Sequence, residues 1–83
     1  MTDTQQIDLR GMPMEPRHEL LFGTIFALQP GEAAEIINDH DPAHLSERLA
    51  VEHPGRFTWT WLEQGPVAWR FRLDRNGQDV TVA

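Results

Sequence analysis

The sequence predicts an α+β fold, a two-layer sandwich with two helices packed on one face of a four-stranded sheet. Three observations carry this reading. Two stretches repeat apolar residues at helical spacing, and four short stretches read as strands. The elements run strand, helix, strand, helix, strand, strand. And 83 residues bury only about 60–65% of the unfolded surface, so short helices need a sheet to cover their apolar stripes.

The elements follow in order. Ile7, Asp8, Leu9 and Arg10 alternate as a first strand, with residues 1–6 expected as a flexible N-terminus. Residues 11–16 hold Gly11, Pro13 and Pro16 and read as a loop. Pro16 suits the first position of a helix over residues 17–28, where its missing N–H costs nothing. Leu21, Ile25 and Leu28 form that helix's core stripe, widened by Phe22 and Phe26. Gln29, Pro30 and Gly31 end it. Residues 32–38 read as the second strand, with Ala34 and Ile36 on one face and Glu35 and Ile37 on the other. Asp41 is the expected cap of the second helix and Pro42 its first residue. That helix runs to about His53, with Leu45 and Leu49 inward, until Pro54 and Gly55 stop it.

Phe57, Thr58, Trp59, Thr60 and Trp61 alternate cleanly as a strand. Residues 63–66 read as a turn and residues 67–73 as the last strand. Asn76-Gly77 is a two-residue hairpin signal, so residues 76–83 are a tail or an extra short strand. Trp59, Trp61, Trp69, Phe71 and Leu73 are expected to supply much of the core. Asp8, Arg10, Thr58, Thr60, Arg70 and Arg72 are expected on the bare sheet face.

Composition excludes several chemistries. The chain has no cysteine, lysine or tyrosine, and all seven basic residues are arginine. Disulfides, thiolate metal sites, persulfides and lysine Schiff bases are therefore impossible. The net charge of −6 argues against nucleic-acid and anionic-membrane partners. No apolar run is long enough for membrane insertion, and the polar N-terminus does not read as a signal peptide. A cytoplasmic location is expected.

The most pointed motif is Asn38-Asp39-His40-Asp41-Pro42, at a strand-to-helix turn. His40 and His18 are candidate ligands for a divalent metal or haem iron, with Asp39 as ligand or supporting carboxylate. The bland alternative is that Asp41 caps a helix, Asp39 stabilises a turn, His40 is exposed or bonds a neighbour, and His18 faces solvent or bonds an exposed carbonyl. His44 and His53 read as solvated helix residues. Arg10 and Arg17, beside helix N-termini, are candidate anion or partner contacts, with internal ion pairs as the alternative. Arg70 and Arg72 are candidate partner contacts on the bare face. No catalytic Ser/His/Asp order, phosphate loop or zincin pattern occurs.

Taken together, Leu9-Arg10-Gly11-Met12-Pro13, Leu28-Gln29-Pro30-Gly31-Glu32, the motif at residues 38–42, His53-Pro54-Gly55, Trp59, Leu62-Glu63-Gln64-Gly65-Pro66 and Trp69-Arg70 resemble domain of unknown function 2249. That family is related to the TusA/SirA sulfur carriers, and the resemblance covers roughly residues 7–75. It implies the TusA-like fold: a sandwich with sheet order 1-2-4-3 and strand 4 antiparallel to the rest. In that topology the C-terminal strand ends gather residues 11–18, 38–41 and 63–66, where open α/β sheets favour ligands. The resemblance also implies company, in the form of hemerythrin-like, cupin or respiratory proteins, but no established activity. The carriers' Cys-Pro-x-Pro stretch is here Pro13-Met14-Glu15-Pro16. A methionine thioether cannot form a persulfide, so the chain is not a sulfur carrier. The leading expectation is a small non-enzymatic accessory or protein-interaction domain with a redox, respiratory or metalloprotein partner. The alternative is a metal- or haem-binding module using His18 and His40.

Overall fold

The computed structural model describes residues 4–77. Its elements are β1 (Thr4–Asp8), α1 (Met14–Ala27), β2 (Ala33–Asn38), α2 (Ala43–Glu52), β3 (Phe57–Gln64) and β4 (Trp69–Arg75). The sheet order is β1-β2-β4-β3. β1 and β2 are parallel, and β4 runs antiparallel to both of its neighbours. β1, β2 and β3 therefore share one direction, and their C-terminal ends lie at one end of the sheet.

Register sorts the side chains by face. Ile7, Ile36, Phe71 and Trp61 stand in one cross-strand row, and Ala34, Leu73 and Trp59 in the next. With Leu21 and Ile25 of α1 and Leu49 of α2, these rows, Trp61 apart, build the core. Phe71, Leu9, Ile25, Leu28, Ile36 and Leu73 are its largest fully buried side chains. Each contributes on the order of 1.5–3 kcal/mol by leaving water. The opposite face carries the rows Asp8–Ile37–Arg70–Glu63 and Gln6–Glu35–Arg72–Thr60.

Several boundaries differ from expectation. β1 spans residues 4–8 rather than 7–10, because Thr4, Gln5 and Gln6 pair with Ala33, Ala34 and Glu35. Arg10 lies in the following turn rather than on the sheet face. α1 starts at Met14, three residues early, with Pro13 in the cap position. The first four amides of a helix have no intrahelical partner, so Pro16 is tolerated anywhere in that turn. β3 runs through Gln64 instead of turning at Glu63. A bulge between Trp61 and Glu63 absorbs one residue, and the Gly65 N–H closes the hairpin on the Ala68 carbonyl at 2.8 Å. Gly65 has φ +43°, and a Cβ there would overlap the Trp69 indole. Asn76 ties the sheet end to the loop before β3, donating to the Gly55 carbonyl at 2.8 Å and accepting from Thr58 at 2.7 Å. The strand or tail expected after Gly77 lies outside the described residues.

The tryptophans are less buried than their alternation suggests. Trp59 stacks on Phe71 with ring centroids 3.9 Å apart. Trp61, farther along the edge strand, remains 37% exposed. Phe71→Ala should therefore cost about 3–5 kcal/mol, and Trp61→Ala less than half of that. Urea denaturation checks this, and equal costs would contradict the burial difference.

Candidate functional site

The C-terminal ends of β1 and β2 feed two loops that meet over the N-terminal turns of both helices. One side chain joins them. Arg17, in the second turn of α1, donates from Nη2 to the Met12 carbonyl at 2.7 Å. Its Nη1 reaches Asn38 Oδ1 and Asp39 Oδ1, each at 3.1 Å. Its side chain is only 15% exposed, and its Nε is buried with no hydrogen-bond partner among the described residues. An unmet buried donor costs about 1–3 kcal/mol.

Asp39 completes the junction. Its Oδ2 accepts the Gly11 N–H at 3.0 Å, and its Oδ1 lies 2.5 Å from His40 Nδ1. Gly11 has φ +76°, a conformation that favours glycine. The Gly11 amide, followed by the His40 contact, holds the Asp39 carboxyl down at about 2. At neutral pH that carboxylate only accepts, so His40 Nδ1 carries the proton and donates it. His40 Nε2 is then the ring nitrogen left for a ligand.

The rest of the motif is divided in function. Asn38 Oδ1 accepts the Asp39 N–H at 2.8 Å. Asp41 Oδ1 accepts the Ala43 N–H at 3.0 Å from one residue ahead of the cap position it was expected to fill. Pro42 takes the cap position instead of the first helical one, and its carbonyl accepts from Leu45 and Ser46.

Beside this junction lies a cleft of about 520 Å³ between the helices. α1 contributes Met14, Arg17, His18, Leu21 and Phe22; α2 contributes His44, Leu45 and Arg48. Asn38, His40 and Pro42 line the end between them. His18 and His40 thus share one cleft. Asp39 does not line it and acts from behind His40. Arg48 lies 5.0 Å above the Phe22 ring and pairs with Glu52 at 3.2 Å. Among the described residues, no three His, Asp or Glu side chains converge closely enough to hold a metal ion.

The other candidates lie apart. Arg10 pairs with Asp8 at 2.7 Å on the surface, and that partnership holds the Asp8 carboxyl at about 2. Arg72 pairs with Asp74 at 3.1 Å and faces Glu35 at 3.8 Å on the helix-free side. Arg70 stands between Ile37 and Glu63 in register. Sequence reading missed His44, Arg48 and Met14 as cleft residues. The signal was spacing: Met14, Arg17, His18, Leu21 and Phe22 form one helical stripe, as do His44, Leu45 and Arg48.

The family model described as "Uncharacterized conserved protein (DUF2249)" matches residues 6–75. The chain belongs to the DUF2249 family. Both halves of the cleft and the Arg17 junction fall inside the matched DUF2249 region. Comparison with curated proteins and with solved structures gave no match. No helix among the described residues is long and apolar enough to cross a membrane.

Asp39 generates a pH prediction. Its folded pKa lies below the ordinary 3.8, so its stabilising effect is present above that value and is lost as pH falls towards about 2. Asp39→Asn should be less stable than the parent at neutral pH, with the gap closing towards pH 2. Thermal melts across that range check it, and a gap independent of pH would contradict it.

Proposed function

We propose that this DUF2249 chain is a non-enzymatic accessory domain that binds a ligand in the helix cleft and acts through a protein partner. The carrying observation is the cleft itself, at the end of the sheet where α/β folds place ligands, with an apolar floor and a few converging polar groups. The accessory reading is supported by the absence of any cysteine or lysine nucleophile in the sequence. The resemblance to cysteine-free relatives of sulfur carriers suggests a redox, respiratory or metalloprotein partner. The helix-free sheet face, with Arg70 and Arg72 among acidic neighbours, is the proposed contact, and the location is proposed to be cytoplasmic. Arg70→Glu should abolish co-purification of the partner while leaving the circular dichroism unchanged. Recovery of the same partner by Arg70→Glu would overturn this contact. Turnover of a substrate by the isolated chain would overturn the accessory reading.

A second reading is favoured by one observation: the His40 ring is held by a carboxylate on Nδ1, as second-shell carboxylates hold metal-ligating histidines. A haem brings its own ring nitrogens, so His18 and His40 would suffice as protein donors, with the apolar floor against the macrocycle. Hemin added to the purified protein should give a saturable Soret shift that His40→Ala weakens. An unchanged spectrum, or equal binding by His40→Ala and His18→Ala variants, would remove this reading.

A further inference from the structure

The cleft has a defined chemistry that names a ligand class, an inference that rests on its being a binding site. All its charged or titratable lining groups are basic: Arg17, Arg48, His18, His40 and His44. No carboxylate lines it. Asp39 and Glu52 partly neutralise the two arginines from behind, but His18 and His44 make no hydrogen bond or ion pair among the described residues. The floor is the opposite in character, made of Leu21, Phe22 and Leu45. A hydrated inorganic anion would leave that floor wet, and a neutral apolar molecule would leave the donors without acceptors.

We infer that the cleft binds a small organic carboxylate: a single anionic head on an apolar body, with the head among the arginines and histidines and the body on Leu21, Phe22 and Leu45. The space of about 520 Å³ lies within the size of small-molecule sites, roughly 300–1,000 Å³.

Octanoate, 1-octanol and inorganic phosphate separate the contributions. With methyl-labelled and ¹⁵N-histidine-labelled full-length protein, octanoate should give saturable NMR shifts at Leu21, Leu45, His18, His40 and His44. Octanol has the body alone and phosphate the charge alone; each should bind at least about tenfold more weakly. Arg48→Gln, on an exposed helix face, should weaken octanoate binding by about tenfold without altering the fold. The inference is overturned if octanoate gives no saturable shift, if octanol or phosphate matches it, if Arg48→Gln binds like the parent, or if the shifts map to Trp61 and Trp69. Should octanoate fail while hemin still binds at His40, the ligand class is wrong but the cleft remains a site.

Discussion

The end of the sheet that carries the cleft hangs on the guanidinium of Arg17. It is anchored in α1 and contacts the loop after β1 through Met12, the end of β2 through Asn38, and the loop before α2 through Asp39. Loops at the end of a parallel pair have no ladder to hold them. Here one planar fork of donors does so. Asp39 returns the constraint by accepting the Gly11 amide, so the two loops are also joined directly. Exposed ion pairs contribute little to stability. This one is half-buried and shares its acceptors with backbone groups, which gives it more weight.

The cleft follows from that junction. Arg17, Asn38 and His40 belong both to the hydrogen-bonded cluster and to the cleft wall. The same bonds that fix the loops therefore set the position and tautomer of His40. The five-residue motif divides into an anchor (Asp39), a presented ring (His40), an acceptor for the first α2 amide (Asp41) and two framing residues. Only His40, Asn38 and Pro42 face the cleft; both carboxylates are spent on structure.

Much of the fold was legible because it is written in local periodicity. Leu21, Ile25 and Leu28 announce their buried stripe, and Ala34 and Ile36 their buried face. Where local signals competed with pairing, pairing won: Thr4, Gln5 and Gln6 are polar yet join the sheet because β2 offers them partners. Glu63 and Gln64 carry turn composition yet extend β3 through a bulge. The tryptophan alternation gave the right face, but burial depends on whether a helix lies overhead. The site was legible in part. His18 and His40 were expected near one another at the C-terminal strand ends and line one cleft there, whereas the bond between Arg17 and Asp39 spans 22 positions and leaves no mark in spacing. His44 is an exposed helix residue as expected, and its place on the cleft shows only once the opposing stripe on α1 is packed beside it.

The direct measurement of this dependence is amide hydrogen exchange at Gly11 in Arg17→Gln. Gly11 bonds to Asp39 and not to Arg17, so its protection reports on whether Arg17 holds Asp39 in place. Exchange at Gly11 should accelerate markedly in the variant, while core amides such as that of Phe71 keep their protection relative to global stability. Unchanged protection at Gly11 would show that the loops stand without Arg17.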